Sequence, residues 1–188
     1  MNNATFTKYQ VTLTPIAKVH QPILRQWRNT PDIQRQMLST HYISEAEQMA
    51  WFERINTVDF EWHWVVAYKG ELVGSANIRS VIKGESVNIA KTLEAGLYIG
   101  DPRYKNNILA FAPTLAMYDF CFSEFETQEF KAVVKATNTA AMHYNQKLGY
   151  KVVGTDTEKS VIAMSLTYDD YQRSTTTLKQ FLSRPTRK

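Results

Sequence analysis

The sequence has little cysteine and no long apolar run, and both shortages narrow the class of protein. Its 188 residues include a single cysteine, Cys121, so neither an intramolecular disulfide nor a cysteine-based metal site can form. No apolar stretch approaches the roughly 18 residues that span a bilayer, and residues 1–10 show no signal-peptide pattern. We therefore expect a cytoplasmic protein without membrane or metal partners.

Excess positive charge is also small once its distribution is considered. The net charge is +4, but from Tyr168 onward five basic residues stand against two acidic ones. The body of the chain then carries a net charge of only +1, with no Lys/Arg-rich run. An extended basic face is what nucleic acid binding requires, so no nucleic acid partner is predicted. Residues 172–188 form a basic C-terminal tail.

The length and the apolar content, 188 residues and 44%, suit one core rather than two. Apolar and polar residues alternate over residues 9–13, which predicts a first strand. Helical spacing follows over most of residues 19–56. Residues 60–68 and 72–78 then alternate on either side of Lys69-Gly70, which predicts a hairpin.

The C-terminal half alternates between helices and strands. Pro113 lies inside an apolar helical pattern, where proline is tolerated only in the first turn, so we expect this helix to begin near residues 110–112. The predicted elements are a strand at 92–99, a helix within 108–125, a strand at 130–135, a helix at 138–148 ending at Gly149, and strands at 151–155 and 160–166.

The most specific motif runs from Asn138 to Tyr150 as NTAAMHYNQKLGY and follows the strand segment Lys131-Ala132-Val133-Val134. It resembles the N-x-x-A/S and K-L-G-F/Y segment of the GCN5-related N-acetyltransferase (GNAT) superfamily, and the resemblance extends from Tyr9 to about Tyr171. It implies that Asn138 and Asn145 line the coenzyme A channel. A capped helix between Asn138 and Gly149 would show the same pattern without a cofactor.

The family resemblance implies a fold and an activity. The fold is a single GNAT-like domain over residues 1–188 of the α/β (α+β) class. Its mixed, mainly antiparallel central sheet has about seven strands, is flanked by helices, and is splayed between the strands of Glu94 and Lys131. The activity is an N-acetyltransferase reaction that moves an acetyl group from the cosubstrate acetyl-CoA to a primary amine, with the acetyl-CoA half at about residues 90–167.

A second segment, residues 96–110, resembles the family's strand, loop and pyrophosphate-binding helix start. In the best alignment with the family pattern, Lys105-x-x-Ile108-x-Ala110, isoleucine stands where the pattern has its central glycine. Backbone N–H groups at a helix start bind phosphate well, although an ordinary polar loop would carry similar residues. The implied cofactor-binding residues here are Lys105, Asn106, Asn107, Ile108, Leu109 and Ala110.

Acetyl transfer needs a base for the amine, donors for the oxyanion and an acid for the leaving thiolate. Glu94, a charged residue on an apolar strand, is the candidate base, with a surface or arginine-paired glutamate as the alternative. The resemblance implies a backbone N–H of Tyr98 or Ile99 as the oxyanion donor. The family's usual tyrosine acid corresponds to Asn145, so Tyr144, one residue earlier, is the candidate acid or an ordinary aromatic.

The resemblance implies that the helices at about residues 17–56 form the acceptor site. The W-R-N and I-S-x-x-E-Q-x-x-W-F segments resemble those of acetyltransferases that modify nucleotide-linked 4-amino-sugars, with Gln48 where histidine is usual. Arg25, Arg28 and Asn29 are then substrate-binding candidates, since paired guanidinium groups match a diphosphate. The alternative for the arginines is surface pairing with Asp32 or Glu45.

Three functions follow from these patterns. The preferred one is acetylation of a small-molecule amine acceptor, a nucleotide-linked amino sugar, by an enzyme that could form a homodimer. The second is acetylation of a peptide or ribosomal-protein N-terminus. The third belongs to another class, a GNAT fold that binds acyl-CoA without turnover, because fold does not establish activity.

Overall fold

The structure, a computed structural model, describes residues 5–105 and 107–184, and they form one eight-stranded sheet in the order β1-β2-β3-β4-β5-β6-β8-β7. The strands are β1 (Phe6–Lys8), β2 (Val11–Pro15), β3 (Glu61–Tyr68), β4 (Glu71–Ser80), β5 (Thr92–Ile99), β6 (Glu129–Lys135), β7 (Lys151–Asp156) and β8 (Val161–Thr167). The helices are α1 (Gln21–Arg28), α2 (Pro31–Gln36), α3 (Glu45–Ile55), α4 (Ala112–Glu124), α5 (Thr139–Leu148) and α6 (Tyr168–Leu182), with 3-10 turns at Lys18–His20, Pro102–Tyr104 and Ile108–Phe111.

The first hairpin differs from the sequence prediction. Tyr9 and Gln10 have φ angles of 53° and 66°, and Lys8 pairs with Val11 across them. These two residues form the turn of a hairpin between β1 and β2, so the prediction that the first strand begins at Tyr9 is wrong. Non-glycine residues rarely adopt positive φ, and no Gly or Asn marks this turn in the sequence.

The central hairpin and the strand after it confirm the prediction. Lys69 and Gly70 both have positive φ, at 50° and 84°, as a two-residue turn between twisted strands requires. Strand β5 spans Thr92–Ile99, the predicted range. Ahead of them, the Ser44 hydroxyl accepts a hydrogen bond from the Glu47 N–H at 3.2 Å, and this N-cap starts α3.

Helix α6 is absent from the sequence prediction, which gives residues 172–188 only as a basic tail. Thr167 caps its start by accepting a hydrogen bond from the Asp170 N–H at 3.3 Å. Tyr171 and Leu182 are buried on its inner face. Residues 172–182 of the tail are therefore part of a helix that packs on the domain through Thr175 and Leu182, and residues 185–188 lie outside the part of the chain that the structure describes.

The sheet separates two apolar cores. Helices α4, α5 and α6 cover one face, and α1, α2 and α3 cover part of the other, which we call the acceptor face. The first core includes Leu13, Trp64, Ile78, Leu93, Leu115, Phe130, Leu166 and Tyr171. The second, smaller core consists of Ile16, Leu24, Trp27, Ile33 and Val65. Burial of each large side chain stabilises the fold by roughly 1.5–3 kcal/mol.

Strands β5 and β6 separate soon after they begin. They pair in parallel only from Thr92 to Glu94, opposite Glu129 to Lys131, although β5 continues to Ile99 and β6 to Lys135. All other strand pairs of the described chain are antiparallel. The mixed, mainly antiparallel sheet with a splay between the Glu94 and Lys131 strands is therefore confirmed, with eight strands instead of about seven.

Candidate functional site

The gap between β5 and β6 exposes one edge of β5. The N–H of Gly100 donates to the carbonyl of Val73 on the β4 side at 2.9 Å. Because successive peptide groups of a strand alternate in direction, the N–H of Tyr98 also faces β4 and that of Ile99 faces the gap. Of the two predicted oxyanion donors, the alternation favours Ile99.

The predicted pyrophosphate segment forms a 3-10 turn followed by α4. Helix α4 begins at Ala112 with Pro113 in its first turn, which confirms the helix start predicted from this proline. Within the turn, the Leu109 N–H donates to Asn107 Oδ1 at 2.8 Å, and the Ala110 N–H donates to the Asn107 carbonyl at 3.1 Å. A diphosphate bound here has to replace these bonds. Asn106, also predicted at this site, lies outside the described residues.

The loop before that turn is fixed by charge. The Arg103 guanidinium donates to both oxygens of Asp101, at 3.1 and 3.0 Å from Nε, and to Glu71 at 2.6 Å. Lys105, predicted to bind the cofactor, is half-buried directly after this loop, and Ile108 is 39% exposed. The isoleucine therefore presents an accessible side chain where the family pattern has glycine.

The asparagine and glycine of the α5 motif cap their helix. Asn138 Oδ1 accepts a hydrogen bond from the Ala141 N–H at 3.0 Å. Gly149 has a φ of 105°, and a Cβ there would lie 2.7 Å from the Asp170 carbonyl oxygen. The Asn145 amide donates to the Met164 sulfur at 3.7 Å, so this residue contacts β8. The capping pattern and the family motif thus occur in the same residues.

Tyr144 links α5 to the segment before α4. Its hydroxyl donates to the Ala110 carbonyl at 3.1 Å and lies 2.7 Å from the Thr114 hydroxyl, while its ring stacks on Phe111 at 4.4 Å. Burial raises the pKa of Tyr144 well above its usual value, although the hydrogen bond from Thr114 lowers it. Because its pKa is raised and its proton is already donated to the Ala110 carbonyl, Tyr144 is better suited to positioning this segment than to protonating the thiolate.

Glu94 lies on the acceptor face at the last paired position before the gap. Arg79 stands opposite it on β4, and its guanidinium Nε donates to the carboxylate at 2.6 Å. The side chain of Glu94 is 27% exposed and that of Arg79 58%. A cavity of about 250 Å³ adjoins them, lined also by Phe60, Val81, Ile82 and Lys83. Glu94 is thus accessible and paired with arginine, an arrangement compatible with its proposed role and with the arginine-paired alternative.

Arg28 approaches the same face from α1. Its Nη1 is buried and has no hydrogen-bond partner among the described residues. Burial raises the pKa of Tyr98 to about 12, although Ser75 and the charge of Arg28 lower it. Arg28 is therefore near enough to Tyr98 on β5 for its charge to act on the hydroxyl, and one buried donor is left for a ligand or water.

The other acceptor-side candidates have separate roles. Arg25 Nη1 donates to the Tyr42 hydroxyl at 3.3 Å. The Asn29 amide both donates to and accepts from the backbone of Ile43, at 2.8 Å each, so it anchors the loop between α2 and α3. Gln48 is buried and donates to Gln21 at 2.7 Å, which ties α3 to α1.

Asn77, which sequence reasoning missed, also lies on the acceptor face. It pairs with Gly96 across β4 and β5, and a Cβ on Gly96 would lie only 2.4 Å from Asn77 Oδ1. The glycine stands inside β5, midway between Glu94 and Tyr98. Glycine inside a strand marks a close approach, and this was the one signal in the sequence.

The part of the chain that the structure describes shows no group of three or more His, Cys, Asp or Glu residues suited to a metal ion. Within the same ranges, the helices are too short or too polar to cross a bilayer. Cys121 is buried, and burial raises the pKa of its thiol.

Residues 10–151 match the model of the acetyltransferase (GNAT) domain family. No curated protein matches the chain in sequence. Solved structures share the fold. A GCN5-related N-acetyltransferase from Brucella melitensis has 16% identity and a TM-score of 0.76, covering 97% of this chain and 86% of its own. An aminoglycoside acetyltransferase in complex with coenzyme A has 16% identity and a TM-score of 0.73, and the match covers 87% of this chain and 98% of that one. Spermidine N-acetyltransferase from Vibrio cholerae has 19% identity and a TM-score of 0.74, and the match covers 86% of this chain and 98% of that one.

The match to the family model extends over more than half of the chain. The chain belongs to the GNAT acetyltransferase family. It is an acetyl-CoA-dependent N-acetyltransferase, and acetyl-CoA is its cosubstrate, which supplies the activated acetyl thioester. The unpaired edge of β5 from Ala95 to Ile99 fits an extended ligand, since such an edge offers N–H and C=O groups as a strand would.

Proposed function

We propose that this acetyltransferase acetylates the primary amine of a nucleotide-linked amino sugar. The observation that carries the proposal is the buried, unpartnered Nη1 of Arg28 beside the acceptor face. A buried guanidinium nitrogen without a partner is costly, and phosphate oxygens are well suited to it. Arg25 lies three residues earlier on the same helix and supplies a second guanidinium for the diphosphate.

The chemistry proposed for the described residues follows the order of the reaction. Glu94 accepts a proton from the ammonium group of the acceptor, directly or through water, so that a neutral amine attacks the thioester carbonyl. The C–S bond of the tetrahedral adduct then breaks, and the leaving thiolate of coenzyme A takes up the proton that the nitrogen loses. The N–H of Ile99, which faces the gap, donates to the developing oxyanion. Asn138 and Asn145 belong to the helix along the coenzyme channel, and residues 105 to 110 bind the pyrophosphate.

The neighbours give this acceptor class limited support. One is an aminoglycoside acetyltransferase, also solved with coenzyme A and kanamycin, and another is a spermidine acetyltransferase solved with spermine. At under 20% identity they share the fold alone. Both acceptor classes are amines on small molecules, and the charge of Arg28 favours an anionic acceptor over a polyamine.

The test is release of free coenzyme A thiol with four acceptors: a UDP-linked 4-amino-4,6-dideoxyhexose, kanamycin, spermidine and a peptide with a free N-terminus. We expect the highest kcat/KM with the nucleotide sugar, and a loss of roughly tenfold or more with Arg28→Met but not with Arg173→Met, an exposed arginine on α6. Higher kcat/KM with the peptide supports the second function. A rise in Tm with acetyl-CoA without turnover of any acceptor supports acyl-CoA binding alone.

A further inference from the structure

Asn77 is a half-buried polar residue on the acceptor face whose side chain has no hydrogen-bond partner within residues 5–105 and 107–184. Its amide can donate two hydrogen bonds and accept two. Among the described residues, none forms a hydrogen bond with it, and its atoms are not sealed from solvent. Most partly buried amides in proteins are bonded. An unbonded amide that solvent can reach is therefore available to a ligand.

The position of this amide is fixed by the two strands around it. Asn77 pairs with Gly96, two residues after Glu94, in the ladder that also pairs Arg79 with Glu94. Alternate residues of a strand face the same side, so the amide lies on the same face as the candidate base, one step along. At Gly96, β5 no longer pairs with β6, so the amide lies beside the gap between these two strands.

Gly96 is what allows the amide to occupy this place. A Cβ at position 96 would lie 2.4 Å from Asn77 Oδ1 and 3.3 Å from Cγ. Its φ angle is not in the left-handed region, so the backbone itself does not require glycine. The space above Gly96 is filled by the Asn77 side chain, and a methyl group there would push the amide aside.

The groups around the amide indicate what it recognises. Glu94 and Arg79 carry full charges on one side, and Tyr98 with the charge of Arg28 lies on the other. Those charged groups suit the ammonium and phosphate groups of an acceptor. A neutral amide both donates and accepts, as a hydroxyl does, so it matches an uncharged hydroxyl group in both roles.

We propose that Asn77 is a specificity-determining residue that binds a hydroxyl group next to the amine being acetylated, a proposal that rests on the amino-sugar function. Sites built to bond a hydroxyl discriminate strongly against analogues that lack it, because their own polar groups are then left unpaired. Gly96 keeps the amide in reach of that hydroxyl.

The experiment compares a UDP-linked 4-amino-4,6-dideoxyhexose with its 3-deoxy analogue. We expect Asn77→Ala to lower kcat/KM for the hydroxylated acceptor roughly tenfold, to leave the deoxy analogue unchanged within twofold, and to leave the KM of acetyl-CoA unchanged. Asn88→Ala, at an exposed asparagine in the loop before β5, is the matched control and should change neither acceptor. An equal loss on both acceptors, or no loss on either, overturns the proposal.

A double-mutant cycle adds a readout that a structural role would not give. Gly96→Ala should cause the same loss as Asn77→Ala when Asn77 is present, and no further loss in the Asn77→Ala background. A full additional loss there contradicts the proposal. Wild-type turnover decides the proposed function separately. If only spermidine or the peptide is acetylated, the amino-sugar function fails, and an Asn77→Ala loss on spermidine, which has no hydroxyl, overturns the hydroxyl contact as well.

Discussion

Arg79 and Glu94 face each other across β4 and β5, and the guanidinium Nε donates to the carboxylate at 2.6 Å. The pair lies at the point where β5 leaves β6. The Arg79 side chain reaches solvent at its outer end, with 58% of it exposed. Because the planar guanidinium limits the directions in which the carboxylate can turn, Arg79 is positioned to orient the candidate base.

We expect Arg79→Met to lower kcat roughly tenfold, because a carboxylate that is no longer oriented spends less time in a reactive geometry. Arg79→Lys should recover part of that loss, since the charge is kept while the fork is lost. The KM of acetyl-CoA should stay constant in both variants. Steady-state kinetics decides the matter, and equal kcat for Arg79→Met and wild type would show that the pair is only a surface contact.

The substitution Ile108→Asp tests the pyrophosphate segment. Its side chain is 39% exposed at the start of the 3-10 turn, so a carboxylate there would repel a diphosphate bound by residues 105–110. We expect acetyl-CoA affinity, measured by titration calorimetry, to fall roughly tenfold or more. Ile108→Gly should keep or improve it.

The control for that prediction is Ile82→Asp, which places the same charge on an isoleucine that is 59% exposed in the loop after β4. It should leave acetyl-CoA affinity unchanged. Equal affinities for Ile108→Asp and Ile82→Asp would place the phosphates elsewhere.

Tyr144→Phe removes the hydroxyl that bonds to Ala110 and lies beside Thr114. If this tyrosine positions the pyrophosphate segment, unfolding free energy should fall by about 1 kcal/mol and the KM of acetyl-CoA should rise, while turnover stays within about threefold of wild type. A roughly hundredfold or larger loss of turnover with unchanged KM would instead identify Tyr144 as the thiolate acid.

Asp119 joins three distant parts of the chain. Its carboxylate accepts hydrogen bonds from Lys8 at 2.6 Å and Tyr9 at 2.5 Å on one oxygen, and from Tyr171 at 2.7 Å on the other, where Lys179 lies at 2.8 Å. Burial raises the pKa of Asp119, but the bonds from Lys179, Lys8, Tyr9 and Tyr171 outweigh it and leave the pKa below its usual value. The ionised form is therefore the one that stabilises the fold.

We expect Asp119→Asn to lower the unfolding free energy by about 3 kcal/mol at pH 7, because two lysines lose their partner in a largely buried site. A lowered folded-state pKa gives stability that is present above the unfolded value of about 3.9 and is lost as pH falls below it. Wild type and variant should therefore converge below about pH 4 in urea titrations. Asp156→Asn, at an exposed pair with Lys159, should cost much less than Asp119→Asn, and an equal loss in both variants would contradict this account.

Local sequence signals were enough for much of the fold. The hairpin at Lys69-Gly70, strand β5 and the helix between Asn138 and Gly149 follow from period-two alternation, turn chemistry and capping, which act over a few residues. Pro113 fixed the start of α4 for the same reason. These features depend on neighbours in sequence and so could be predicted.

The remaining features depend on contacts between distant residues. The turn at Tyr9 and Gln10 has no sequence signal, and Tyr9 is bonded to Asp119 on α4. Asn77 is recognised as a candidate site residue only because it pairs with Gly96 across β4 and β5. Arg28 was predicted from its helix, but its unpartnered Nη1 follows from packing against the sheet. Period and spacing do not encode such pairings.

The most direct test of the central claim is the pH dependence of turnover in Glu94→Gln, measured as thiol release. Glutamine keeps the shape of the side chain but cannot accept a proton, so we expect kcat/KM to fall by roughly 10²–10⁴ at pH 7 with acetyl-CoA affinity unchanged. The two rates should converge toward about pH 9 to 10, where the acceptor amine deprotonates without a base. Glu126→Gln, which neutralises an exposed glutamate paired with Lys91, should behave as wild type. A constant ratio between Glu94→Gln and wild type at all pH values, or no loss at all, would contradict the role of Glu94 as the base.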